Sequence, residues 1–441
     1  GAKKGANVFG SFFMDWGKIV KYNFFEVFMK VNKFFFCVVI FNFFLTFSCV
    51  CAVKNEKKSG YNEDDMAKYA KCVNELAVQN QIGTFLWDCS THMDRNKMKI
   101  SFPKYIDAIM SCYPKKSDFG NGGNDSVFEE EDAKTAVANF GAGWNLGNTL
   151  DATSFNISKV GTDEELGWIP KWGKKDSNGN YYPSNWETAW GQPETNEKIV
   201  DFILDAGFNA IRIPITWAEH FDKNDNVDPI WMNRVKETVD LFYNKGVYCI
   251  INAHHDGGTD GWIEATEKSY NKYSSRFEKL WQQIANTFAD YDERLLFESM
   301  NEVLDENNEW DKPSASGLEY VNKWNQLFVD TVRATGGNNS KRNLVVMTYA
   351  GGGDENRLKG FVLPNDSVKN HLIVEVHNYN PMHFTWKDVT WKKMTAIWSD
   401  SLAQELRKDF KIYKKYSGAL GVPFIVGEYN ADPKLYEEYD K

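Results

Sequence analysis

From about residue 140 onward, short apolar runs rich in β-branched residues alternate with amphipathic stretches, and this alternation restricts the fold more than any other feature. The runs are 141–146 (GAGWNL), 208–215 (FNAIRIPI), 247–253 (VYCIINA), 293–300 (ERLLFESM), 343–349 (NLVVMTY), 371–377 (HLIVEVH) and 422–427 (VPFIVG). Helix-period stretches lie between them, the clearest at 194–206, 229–245, 273–290, 316–334 and 401–416. Strand then helix, repeated, makes a parallel sheet covered by helices. Seven strands are one short of the eight that close a (β/α)8 TIM barrel, and the residues after 428 are too few for another helix and strand.

The missing unit is expected at the other end of the sequence. Residues 63–80 (EDDMAKYAKCVNELAVQN) space Met66, Tyr69, Val73 and Leu76 at the intervals of an amphipathic helix. A strand-like run, 82–87 (IGTFLW), follows, then a polar loop and a second helical stretch at 102–113. Residues 114–127 are rich in Pro, Gly and Asn and read as a linker to 128–441. The expected fold is therefore an α/β barrel that is circularly permuted. Residues 63–113 supply the eighth strand and its flanking helices, and 82–87 pair in parallel with both 141–146 and 422–427. Reading 63–113 as an appendage would leave a seven-stranded sheet with two unpaired edges.

Residues 34–53 (FFFCVVIFNFFLTFSCVCAV) carry no charge and follow Lys30 and Lys33. The preferred reading is a signal peptide over 29–53 starting at Met29, with a membrane anchor as the alternative. Residues 1–28 read as an upstream segment without structural meaning. A secreted protein is implied, or a cell-surface one if the segment is retained. The net charge of −10 argues against nucleic acid as a partner. Hydrophobic residues at 42% and charged residues at 25% exclude a disordered or collagen-like chain. The seven cysteines form no metal-type cluster and no HExxH occurs, so neither a metal nor a cofactor is expected.

Catalytic groups of a parallel barrel sit at the C-terminal ends of its strands. Here five apolar runs end in polar groups: Arg212; His254 and His255; Asn301 and Glu302; His377 and Tyr379; and Glu428. Two glutamates in one barrel mouth suit glycoside hydrolysis, with one carboxylic acid protonating the leaving oxygen and one carboxylate attacking the anomeric carbon. Arg212 reads either as a plain ion-pair partner or as the cation that keeps Glu428 ionised. The 16 tryptophans provide faces that can stack on sugars. Trp144, Trp190, Trp262 and Trp386 are candidate platforms, with packing roles as the alternative. Asn145 and Asn148 either hydrogen-bond sugar or hold the first loop. Asp151 and Asp256 read as loop-stabilising acceptors, and Glu298 as a buried structural carboxylate.

The strings GWNLGNTLDA (143–152), NAIRIPITW (209–217), HHD (254–256), NE (301–302), HNY (377–379) and GE (427–428) resemble glycoside hydrolase family 5. ETAWGQP (187–193) is similar to its cellulase and xyloglucanase branch. The resemblance runs in order over about 128–441. It implies that Glu302 is the acid/base, Glu428 the nucleophile and Asn301 the partner of the sugar 2-hydroxyl. Arg212 and Tyr379 would orient Glu428, while His377 and one of His254 or His255, preferably His254, line the subsite at the cleavage point. The family also places a Trp beneath that sugar at the end of strand eight, and Trp87 in FLWDCSTHMDR resembles it. The implied protein is a monomeric retaining endo-β-1,4-glucanase whose partner is a cellulose-type or mixed-linkage β-glucan. Xyloglucan, xylan or mannan are alternative backbones. A carbohydrate-binding barrel without catalysis is the reading outside enzymes.

Overall fold

The computed structural model describes residues 59–114, 130–153, 186–258, 261–387 and 393–439. The expected upstream segment and signal peptide, nearly all of the linker, and most of the loop between 153 and 190 lie outside the described residues. Among the described residues no helix is long and apolar enough to cross a membrane.

Eight parallel strands close a barrel: β1 (Gly83–Asp88), β2 (Ala142–Leu146), β3 (Ala210–Ile213), β4 (Tyr248–Ile251), β5 (Leu295–Glu298), β6 (Leu344–Gly352), β7 (Leu372–His377) and β8 (Phe424–Tyr429). Helices link the strands in alternation, so the architecture is the expected (β/α)8 barrel. Strand β1 pairs with β8 from Gly83 opposite Ile425 and with β2 from Thr84 opposite Ala142, bridging the first and last of the other seven. Strand β8 runs two residues further than the sequence suggests. Glu428 lies opposite His377 across an irregularity at Gly427, which places the carboxylate within the sheet rather than in the loop after it.

The helix Glu63–Asn80 buries Met66, Tyr69, Ala70, Val73 and Ala77, packed against helices Pro103–Met110 and Asp400–Leu420. Leu76 is only half-buried, and Ala77 takes its place on the inner face. Asn74, buried in this helix, donates to the Tyr429 hydroxyl (3.0 Å) and accepts from Thr84 and Tyr113 (2.9 Å each), tying the helix to β1 and β8. The segment beyond β8 lies along the approach to the same helix. Asn62 N–H donates to the Lys434 carbonyl (2.9 Å), and Tyr61 bridges Leu435 in antiparallel fashion.

Side chains on a strand alternate between faces, and the barrel interior is layered accordingly. One layer is apolar: Phe85, Ala210, Ile250, Leu296, Val345, Ile373 and Ile425 form a buried cluster closed below by Phe140. Strand β2 contributes Gly143 at this level, where a Cβ would lie 2.5 Å from the Phe85 ring. Burial stabilises each large apolar side chain by about 1.5–3 kcal/mol. Two residues further along the strands the interior turns polar. Asn145, Arg212, Asn252, Glu298 and Glu375 are all fully buried, and the apolar layer below them acts as the base on which a charged site is built.

Candidate active site

Arg212 is the centre of the polar layer. Its Nε and one NH2 group hold both oxygens of Glu298 (2.7 and 2.8 Å). That NH2 group also reaches Asn301 Oδ1 (2.8 Å), while the other donates to Asn145 Oδ1 (3.0 Å) and Glu428 Oε1 (2.9 Å). Glu375 Oε1 stands 3.3 Å from Nε. Burial opposes the guanidinium charge, but Glu298, Glu375 and Glu428 outweigh it and hold the group well above its ordinary value. Burial pushes the Glu298 carboxyl up to about 7 against the pull of Arg212.

Glu428 is therefore held from several sides. Arg212 takes one oxygen and the Tyr379 hydroxyl donates to the other at 2.7 Å. Burial, then Glu428 and Glu302, push the tyrosine far above its ordinary value, so it remains a donor. Glu302 differs in every respect. Its backbone is left-handed (φ 45°), a conformation that costs on the order of 1–3 kcal/mol and clusters at functional sites. Its side chain is 23% exposed against 6% for Glu428, and its Oε1 accepts from His377 Nδ1 at 2.8 Å. Gly257 makes room for this turn, since a Cβ there would lie 2.2 Å from the Asn301 carbonyl. One oxygen of Glu302, one of Glu428 and a nitrogen of His377 all lie within 4.8 Å of one another. Burial alone would lower His377, but Glu428, Glu302 and Glu375 raise it to about 10, so the ring is an imidazolium at neutral pH.

Trp87, half-buried at the end of β1, lies parallel to His254 (centroids 5.5 Å apart, 5° between planes). Gly147 lies against the indole, where a Cβ would come within 3.1 Å. His254 Nε2 is 3.9 Å from Glu428 Oε1, and burial followed by His255, Arg212 and His377 keeps its pKa well down. His255 points toward the rim, 3.8 Å from Asp151 and beside Trp190 at 5.4 Å; burial lowers it to about 4. The two histidines thus divide: His254 faces the nucleophile and His255 faces outward. Trp386 is 38% exposed and stands edge-on to Tyr379.

Three expectations are corrected. Trp144 is not a sugar platform: Gly143 and Asn145 face into the barrel, so Trp144 faces out, fully buried against Phe208 with its Nε1 toward Asp88 (3.3 Å). Trp262 is also core. It is 4% exposed, donates to Asp256 at 2.6 Å and is packed by Phe221, Tyr273 and Arg276. Asn145 does not reach a sugar, because it is fully buried and its amide is consumed by Arg212 and the Gly427 carbonyl (2.8 Å). Asp151 and Asp256 do accept loop N–H groups, from Asn148 and Thr149 and from Trp217. Sequence reasoning missed Asn252, which links His254 to Glu298 (3.1 and 2.8 Å), and Glu375, 3.3 Å from His377 Nε2. Their signal was the period-two spacing below the strand ends. Among the described residues two groups could hold a cation, Asp151–His254–His255 and Glu302–His377–Glu428, but a charged His377 offers no lone pair to a metal.

The model of the cellulase family, glycosyl hydrolase family 5, matches residues 175–439. The chain belongs to glycosyl hydrolase family 5. Endoglucanase A of Clostridium longisporum is 34% identical over 302 residues, covering 68% of this chain and 53% of that protein. Endoglucanase B of Neocallimastix patriciarum is 36% identical over 303 residues, covering 68% and 58%. The chain thus spans little more than half the length of these curated relatives. Among solved structures, a glycoside hydrolase family 5 enzyme from Prevotella bryantii B14 is 45% identical over 69% of this chain and 80% of that one, with a TM-score of 0.59. A family 5 xyloglucan-specific endo-β-1,4-glucanase from a metagenomic library, solved with cellotriose, is 34% identical over 66% and 77%, with a TM-score of 0.56.

Proposed function

We propose that the protein is a retaining endo-β-1,4-glucanase. The observation that carries this reading is the pair Glu302 and Glu428, with one oxygen from each within 4.8 Å and with opposite surroundings. Retention needs the two carboxyl groups about 5–5.5 Å apart, whereas inversion needs about 6.5–9.5 Å to admit a water. Glu428, paired with Arg212 and aimed by Tyr379, attacks the anomeric carbon. Glu302 gives its proton to the glycosidic oxygen as that bond breaks, then takes a proton from the water that displaces Glu428. Arg212 fixes the oxygen of the Asn301 amide, which leaves the amide nitrogen to donate to the sugar 2-hydroxyl. Trp87 supplies the ring face beneath the sugar.

A β-1,4-glucan backbone is supported by relatives named endoglucanase and by a neighbour, a broad-specificity endoglucanase from Ruminococcus champanellensis, solved with cellotriose. Xyloglucan is the second substrate reading, favoured by a variant of the Prevotella bryantii enzyme solved with a xyloglucan tetradecasaccharide and 44% identical to this chain. The complete pair of carboxylates weighs against a barrel that only binds carbohydrate. We also propose that the order of barrel units is permuted relative to the family, on the position of Trp87 in β1, ahead of the family match, and on the contact between residues 434–437 and 60–62. Secretion remains the reading of the apolar run at 34–53.

Glu302→Gln and Glu428→Gln should each lower reducing-end release from mixed-linkage glucan by about 10²–10⁴-fold or more, with unchanged circular dichroism. Near-normal turnover in either variant overturns the assignment. The anomer first released, followed by proton NMR, tests retention.

A further inference from the structure

Glu375 has no place in the mechanism above, yet it is buried at its centre. Its Oε1 lies 3.3 Å from both His377 Nε2 and Arg212 Nε, and its Oε2 has no hydrogen-bond partner among the described residues. The side chain crosses β8 at Gly427, the residue before the nucleophile, where a Cβ would fall 1.5 Å from Oε1. Only glycine leaves that passage. On the front of the same imidazole, Nδ1 meets Glu302 at 2.8 Å and Glu428 at 3.5 Å. His377 is thus clamped between a carboxylate behind it and two in front.

The chemistry of this clamp follows from what a histidine nitrogen can do. If Nδ1 carried a lone pair, it would accept the proton that Glu302 must give to the leaving oxygen, and the acid would be neutralised inside its own hydrogen bond. With both nitrogens protonated, His377 can only donate. Glu302 Oε1 is then committed as an acceptor, and the acid proton resides on Oε2, free to reach substrate.

We propose that Glu375 is a positioning residue for proton transfer: it holds the rear nitrogen of His377, so the imidazole keeps both protons and cannot take the proton of Glu302. This rests on Glu302 being the acid/base. The other groups around the ring fit the same role. Glu302 approaches from the loop after β5 and Glu428 from β8. Arg212 on β3 and Glu298 on β5 stand behind Glu375, and Tyr379 holds Glu428. His254, just after β4, is kept neutral by burial. Strand β6 presents Gly351 to the ring, with Arg357, paired to Asp354, against the adjacent Gly352. Glu375 is the one carboxylate on the Nε2 side of the ring among the described residues.

The test uses the full chain labelled with [15N]histidine. In the unmodified protein both His377 nitrogens should keep imidazolium shifts from pH 5 to 9. In Glu375→Gln the ring should titrate at least about 2.5 pH units lower, so that it is mostly neutral at pH 8 and still charged at pH 6. The kcat at pH 8 relative to pH 6 should drop at least threefold further than in the unmodified protein, with KM within twofold. Glu375→Asp restores a carboxylate at a longer reach and should show the same change at smaller size; it also serves if the Gln variant fails to fold. A ring that stays charged over the same range in both variants overturns the proposal, as does a uniform loss of kcat at every pH. Active Glu302→Gln would instead overturn the assignment of the acid, whatever the His377 shifts report.

Discussion

The floor of the site and its rim are built in opposite ways. Arg212, Glu298, Asn145 and Glu428 stand on strands, buried, each with at least two polar partners. Trp190, Trp386 and His255 stand on loops, partly exposed, and are held by ring contacts: Trp190 and Trp386 against one ring each, His255 against two. The pleat of the barrel aims the floor, because once a strand's register is set its alternate residues can face only the interior. Packing of individual loops aims the rim. Floor substitutions should therefore damage turnover and stability together, and rim substitutions should mainly weaken binding.

The most severe break in this comparison removes part of the floor's support. A chain beginning at residue 120 loses β1, Phe85 and Trp87. It exposes the edges of β2 and β8 and opens the apolar layer beneath Arg212. It should show no cooperative unfolding transition and no release of reducing ends. A folded, active product would detach residues 59–114 from the barrel and refute the permuted arrangement.

Next in size is Arg212→Met. It leaves Glu298 without its cation and Glu375 and Glu428 with His377 alone, and breaking such a buried pair costs about 3–5 kcal/mol. Urea denaturation should register that loss together with a collapse of kcat. A variant that unfolds at the normal midpoint would mean the carboxylates are neutral without Arg212. Trp87→Ala sits between floor and rim. It should lower kcat/KM by about tenfold, or ~1.4 kcal/mol, with a smaller change in stability because the indole is half-exposed. Unchanged kinetics on mixed-linkage glucan would remove Trp87 from the sugar site.

Legibility in the sequence divides along the same line. The eight strands were readable because buried parallel strands are continuous apolar runs, and Arg212, Glu302, His377 and Glu428 were readable because each ends such a run. Glu375 escaped notice because LIVEVH reads as an apolar run with one interruption. Only its two-residue spacing from His377, on the same face, hinted that it stands behind that ring. Trp144 and Trp262 were misread because an aromatic residue near a strand end carries no mark of which way it points. Trp144 is turned outward by the inward glycine and asparagine beside it, and Trp262 is drawn in by Asp256, a partner six residues away in sequence.

The smallest predicted effect sharpens that last distinction. Burial raises the Asp256 carboxyl from its ordinary value to about 7, against the opposing hydrogen bonds from Trp217 and Trp262. A folded-state pKa above the unfolded one means a contribution that is fully present below about pH 4 and is lost as pH rises through about 7. Trp262→Phe removes a donor that favours the ionised carboxylate, so the variant should lose more than the unmodified protein over that window. The stability gap should be about 1.5–3 kcal/mol at pH 8.5, where a charged acceptor is left short of a partner, and under about 1 kcal/mol at pH 5. Chemical denaturation at the two pH values measures both gaps, and KM should stay within twofold. A KM raised severalfold with no pH-dependent gap would return Trp262 to the rim, whereas the expected result leaves sugar binding there to Trp190 and Trp386, whose rings are open to solvent.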